Sequence, residues 1–274
     1  MKRNESVDSV AGIMILYMVF THVCQHYHWE HTTTYLVMEH FLYFFMPWFY
    51  FKAGMFFKVG NNKDVIEKSA KRLIKPFLIY SLVGHVCYCF LSYMKGDLSL
   101  SVLVPYRYLL LTGSIPGNLP LWFLLSLFGC RVIFNFAMSR KIPTVLVAST
   151  SLVVVCLLHA IGFNHPYYVA NVITGLLFMS LGYIITKHNA ITPPILAVCI
   201  IIYLASLFYP SFVGMRSNHL YYGVYLLWIL YSLAGIIVVN KIVNKAEQLF
   251  SCIKPIGQYS MQIYCIHWIP LMFL

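Results

Sequence analysis

Charge is what this sequence has least of. Lysine, arginine, aspartate and glutamate together make up 10% of its 274 residues, and only eight of those residues are acidic. A soluble domain carries about a quarter charged residues, so a water-exposed globule is excluded. The chain also lacks a Pro/Gly/Ser-rich linker, a low-complexity tract and a clear internal repeat. It therefore reads as one unit, residues 1–274. Its eight cysteines form no C-x-x-C pair, and they sit mostly in apolar runs. They read as small core hydrophobes and not as a disulfide or metal framework. Four histidines, His22, His26, His28 and His31, are close in sequence, but no cysteine or acidic ligand accompanies them in a metal-like spacing. No metal is expected.

Apolar sequence is abundant: 60% of the residues are hydrophobic. A membrane span needs about twenty such residues at 1.5 Å each. Nine runs qualify or nearly qualify, at about 7–27, 37–58, 73–94, 120–139, 142–161, 169–186, 193–210, 219–240 and 256–274. The run Val102–Thr112 is too short to cross and is expected to be re-entrant or interfacial; a tenth span there would change the topology. The expected fold is all-α, a polytopic membrane bundle of about nine to ten helices. Lys2 and Arg3 precede the first run, as in a signal peptide. That run is long, begins with Asp8 and has no small-x-small cleavage site, so a retained span is expected.

The formal net charge of +11 suggests nucleic acid until its distribution is read. With the N-terminus inside, inner segments hold fourteen of the nineteen lysines and arginines, and outer loops hold three, Lys95, Arg107 and Arg216. Lys52 and Arg131 lie within runs. Cytoplasmic loops carry such an excess, so the charge is a topology signal, the N-terminus is expected to be cytoplasmic, and no nucleic-acid partner is expected.

Ionisable side chains inside spans are costly and usually face an interior cavity. Rise per residue gives their depths from the inner surface: Lys52 at about 9 Å, Arg131 at about 12 Å, His267 at about 16 Å, His85 at about 18 Å, His22 at about 22 Å and Glu39 at about 28 Å. A cationic layer thus lies below a histidine layer, with Glu39 above. Ammonium and guanidinium groups pair with phosphate oxygens, so the lower layer suits a phosphate-bearing ligand arriving from the cytosol. A histidine suits proton transfer because its pKa lies near working pH. Asp8 is about 21 Å from His22 along one helix, which leaves Glu39 as the nearer acid in depth. Plainer roles exist for each residue. His22, His85 and His267 can bond a neighbouring carbonyl, Lys52 and Arg131 can snorkel, and Glu39 can sit at the interface.

Five stretches carry a resemblance. They are VDSVAGIMILYMVFTH at the first run, FFMPWFYFKAGMFF at the second, KSAKRLIKPFLIY before the third, PLWFLLSLF from Pro120, and IGQYSMQIYCIH ending at His267. Their order and spacing resemble the acyltransferase-3 integral membrane acyltransferases, in particular the fucose 4-O-acetylase-like and polysaccharide O-acetyltransferase branch. The resemblance implies transfer of an acyl group, commonly acetyl from acetyl-CoA, to a hydroxyl of a cell-surface or lipid-linked glycan. It implies a bacterial cytoplasmic (inner) membrane location, among membrane lipids, and a homo-oligomer is possible. His22 matches the family's first-helix histidine and is expected as the general base, with Glu39 as a further catalytic candidate. Lys52, Arg72 and Arg131 are expected on the acyl-CoA donor, and His267 and Trp122 on the acceptor. One position departs from the pattern. Eleven residues before His22, where the family commonly has arginine, stands Ala11. Lys52 in turn replaces a small residue in FKAG, and falls within about 3–4 Å of Ala11 in depth; it is expected to supply the missing cation. The alternatives are a transporter whose mid-depth polar groups line a path, and an inactive relative that binds a glycan or partner.

Overall fold

The computed structural model describes residues 4–97, 105–163 and 166–274. It is a bundle of helices that exposes many large apolar side chains. The nine runs all appear as helix, in three forms. Among the described residues, five helical stretches are long and apolar enough to cross a membrane: Glu5–His26 (α1), Asn62–Met94, Leu119–Ser139, Tyr167–Lys187 (α9) and Tyr225–Lys245 (α11). Two more, Thr144–Ala160 (α8) and Pro193–Phe208 (α10), are shorter apolar helices. The remaining two runs are broken.

The second run breaks into Thr33–Leu42 (α2) and Phe45–Met55 (α3). Pro47 explains the break. It has no N–H and would clash with the carbonyl four residues back, but in the first turn of a new helix that N–H is not needed. The third run is continuous with a preceding polar helix: Asn62–Ser69 (α4) passes through a π-turn at Ala70–Ile74 into Lys75–Met94 (α5). The Lys75 N–H reaches back to the Ala70 carbonyl across the widened turn. Pro76 lies just beyond and removes a regular ladder bond. The last run breaks twice, into Lys254–Gln258 (α12), Ser260–Ile266 (α13) and Trp268–Leu271 (α14). Of the expected re-entrant run, residues 102–104 lie outside the described residues, and Pro105–Thr112 is a short helix, α6. Trp122–Ser139 is α7.

One feature departs from an all-helical expectation. Residues 212–222 form a two-stranded antiparallel hairpin of Phe212–Gly214 (β1) and His219–Tyr222 (β2). The run expected to begin at 219 therefore starts as a strand and enters helix only at Tyr225.

On α5, Leu78, Leu82, Val86 and Phe90 are all exposed and recur every fourth residue. In water such a stripe would have to be covered, but in a bilayer it is the face that meets lipid.

Two close approaches set the bundle's geometry. Gly54 and Gly182 let α3 and α9 meet backbone to backbone; a Cβ on Gly54 would lie 1.9 Å from the Met179 carbonyl oxygen and one on Gly182 2.2 Å from that of Phe51. Gly257 does the same for α12 against α1, where a Cβ would lie 1.7 Å from the Asp8 carbonyl oxygen. Lys254 Nζ and Glu5 Oε2, 2.6 Å apart, close the same junction. His22 and His267 each lie ten residues beyond the glycines of this contact, Gly12 and Gly257. Equal offsets along two segments running the same way carry the two rings to the same level.

Gly257→Val is accordingly expected to force α12 off α1. The unfolding midpoint in detergent should fall, reflecting the stability loss typical of overpacking, about 1–3 kcal/mol. Gly60→Ala, whose Cβ meets only Val65 at 3.4 Å, should leave the midpoint unchanged. Equal midpoints for the two variants would show that the close contact is dispensable.

Candidate active site

At the level where α1 ends, the His22 Nδ1 lies 2.7 Å from His267 Nε2. The other nitrogen of His267, Nδ1, lies 2.8 Å from the Tyr264 carbonyl oxygen. A carbonyl only accepts, so His267 Nδ1 carries its proton. In the neutral ring Nε2 is then an acceptor, and the proton between the two rings belongs to His22 Nδ1. This chain of bonds leaves His22 Nε2 with its lone pair unprotonated, the tautomer a general base requires. Trp268 closes edge-on against the His22 ring at a centroid distance of 5.3 Å.

The segment carrying His267 is itself pinned. Buried Asn118 donates through Nδ2 to the Cys265 carbonyl at 3.0 Å, and the Tyr264 hydroxyl donates to the Pro120 carbonyl. Both anchors lie in the turn that opens α7, so the turn before Trp122 holds the last helices in place.

His22 lines a cavity of about 1280 Å³ at the end of the bundle away from the lysine-rich loops. Trp122 lines the same cavity, as does Glu39. Glu39 meets Tyr222 rather than His22: the Tyr222 hydroxyl donates to its Oε2 at 2.8 Å. Burial and this carboxylate hold the Tyr222 phenol well above its ordinary pKa, so it remains a donor. The partner of His22 is thus a histidine, where depth had pointed to Glu39. His267, expected on the acceptor, is hydrogen-bonded to the His22 ring and is not among the residues lining the cavity.

A second cavity, of about 410 Å³, lies towards the lysine-rich end. Lys52, Arg72 and Arg131 all line it. Three cations expected on one ligand therefore converge on one space, and no carboxylate is among its lining residues. Each is held by its surroundings. Lys52 Nζ lies 5.3 Å from the centroid of the Trp48 ring. Arg131 Nε donates to Ser69 Oγ at 3.1 Å, and its guanidinium stacks over Phe57 at 5.3 Å. The π-turn carries Arg72. From α1, Ile15 lines this cavity, and Ala11 lies one turn earlier on the same face. The wall that α1 leaves apolar is the wall to which α3 brings Lys52.

Met46 and Tyr264 line both cavities. They form the partition between a cationic inner space and the outer space that holds His22. His85, expected at the depth of the other histidines, lines neither cavity; its Nε2 lies 3.6 Å from Cys89 Sγ.

Two residues of the site were not picked out from sequence. Tyr264 was visible only as the tyrosine three residues before His267. Arg216 was counted as an outer-loop cation, yet the hairpin turns it into the outer cavity.

The arrangement suits transfer of a small group from a polyanionic carrier on one side to an acceptor on the other, with a base at the junction. The chain matches the family model of an acyltransferase domain over residues 4–274. No curated protein and no solved structure matches it.

Proposed function

Because the chain belongs to the acyltransferase-3 family of membrane acyltransferases, we propose that it moves an acetyl group from cytosolic acetyl-CoA to a hydroxyl of a cell-surface or lipid-linked glycan. The bacterial cytoplasmic membrane is the proposed location. The observation that carries this reading is the pair of cavities joined at Met46 and Tyr264, with the cations Lys52, Arg72 and Arg131 on one side and His22 on the other.

In this reading the phosphates of the donor rest against Lys52, Arg72 and Arg131, where charge-assisted bonds to phosphate oxygens are strongest. The pantetheine arm runs along the apolar wall of Phe49, Phe123 and Leu127 to the partition. The thioester carbonyl then presents itself to the outer cavity. His22 Nε2 takes the proton of the acceptor hydroxyl as its oxygen attacks the carbonyl carbon. The C–S bond breaks, and the imidazolium returns that proton to the departing thiolate, releasing CoA and the ester. His267 holds the imidazole in the required tautomer throughout and shares the positive charge that develops on it. Trp122 and the tyrosines of the outer wall offer apolar faces and hydroxyls to a sugar, the mixture typical of a ligand pocket.

The test uses the full chain in lipid nanodiscs with radiolabelled acetyl-CoA. Saturable binding of the donor is expected, with slow release of CoA and acetate when water replaces the acceptor. A folded protein that neither binds acetyl-CoA nor releases CoA would overturn the proposal.

A further inference from the structure

Arg216 occupies an unusual place. It follows β1 in a loop at the outer end, where a cation would ordinarily project into water, yet its side chain lines the outer cavity. Its Nη2 donates to Ser114 Oγ at 3.1 Å, and Ser114 is fully buried. Its Nε is buried and meets no acceptor among the described residues. All eight carboxylates of the chain are described, and none forms an ion pair with Arg216. Glu39, in the same cavity, is engaged by Tyr222. Arg107 and Glu30 line the cavity as well, so net charge does not decide the matter; the position of Arg216 does. It is close enough to His22 and Tyr264 for its charge to act on both.

A guanidinium withdrawn from water without a counter-ion is costly. The cost is offset when an anion arrives in the geometry the fork accepts, two parallel N–H···O bonds to a carboxylate or phosphate. Nη2 is held by Ser114, and Nη1, which makes no hydrogen bond to a described residue, is left to bind with the second N–H of Nη2. We infer that the acceptor carries an oxyanion, a carboxylate or a phosphate, that docks on Arg216 while a hydroxyl of the same molecule meets His22 Nε2. This rests on the acyltransferase reading and deepens it: the outer cavity selects an acidic sugar or a phosphate-linked sugar over a neutral one.

The experiment uses three probes with the full chain in nanodiscs: methyl glucuronide, glucose 1-phosphate and neutral methyl glucoside. Binding is followed by quenching of the tryptophans lining the cavity, Trp122, Trp228 and Trp268, with no donor present. Saturable quenching by at least one anionic probe is expected, at least tenfold tighter than by methyl glucoside. Arg216→Gln should abolish that preference and Arg216→Lys should restore part of it. A carboxylate source is marked by preference for the glucuronide, a phosphate source by preference for the sugar phosphate. With labelled acetyl-CoA, Arg216→Gln should cut transfer to the anionic probe at least tenfold more than transfer to methyl glucoside. Equal binding of neutral and anionic probes by the wild type, or no quenching by either anion, would overturn the inference. So would an equal loss with all three acceptors, which marks Arg216 as a stabiliser of the reacting carbonyl. Wild-type protein that binds the anions yet never consumes acetyl-CoA would instead sink the acyltransferase reading.

Discussion

Replacing His22 by alanine is expected to lower acetyl transfer by about 10²–10⁴-fold, the range a positioned general base contributes, while donor binding stays at the wild-type level. The split follows from the two cavities. His22 lines only the outer one, and Lys52, Arg72 and Arg131, the cations proposed for the donor, line only the inner one. The variant is not expected to be grossly destabilised, since His22 is half-buried and faces the cavity. His267→Ala should also slow transfer, by less than His22→Ala, because it removes the group that selects the tautomer and not the base itself. His267→Gln should keep more rate than His267→Ala, since a side-chain carbonyl can still accept from His22 Nδ1. Transfer and donor binding measured together decide the outcome. A His22→Ala protein that turns over acetyl-CoA like the wild type would remove His22 from the chemistry. Loss of donor binding along with rate would show that the two cavities are not separate sites.

The second large effect is expected at Lys52. Lys52→Ala should weaken acetyl-CoA binding by about 10- to 100-fold, matching the 1.5–3 kcal/mol typical of a hydrogen bond to a charged group. The loss should shrink as ionic strength rises, because the interaction is electrostatic. The informative partner is Ala11. In the Lys52→Ala background, Ala11→Arg should recover binding, since position 11 lies one turn, about 6 Å, before Ile15, the α1 residue that lines the inner cavity. Recovery in that double variant, with little gain from Ala11→Arg alone, is the signature of a cation moved from one helix to another. If Ala11→Arg raised transfer in the wild-type background while Lys52→Ala did nothing, the chain would be a degenerate relative and not a compensated one.

How much of this was legible in the sequence depends on the direction in which a coordinate runs. Depth along a helix is readable, because each residue advances a fixed 1.5 Å. That is why Lys52 and Arg131 were placed in one layer, and the structure sets them around one cavity with Arg72. Neighbourhood around the bundle is not readable in this way. His85 has the depth of His22 and His267 but lies on α5, away from both cavities. Glu39 is near His22 in depth but turns to Tyr222 on the hairpin. The hairpin itself was hidden by its composition. Phe212, Val213, Leu220, Tyr221 and Tyr222 are as apolar as a membrane helix, and a short apolar run does not announce its own period. With the hairpin hidden, Arg216 could only be counted as a loop charge. The motif stretches fared better, since IGQYSMQIYCIH places Gly257, Tyr264 and His267 at the spacing that the contact with α1 uses.

The bond between His22 and His267 joins residues 245 positions apart. Translation delivers His267 only 245 residues after His22. Until then, the nascent chain has a first helix in the bilayer whose imidazole has no ring to fix its tautomer and no Tyr264 to partition the cavities. Interrupted synthesis, or release of α12–α14 by a protease, should yield a membrane-embedded fragment that is inert, not a leaky thioesterase.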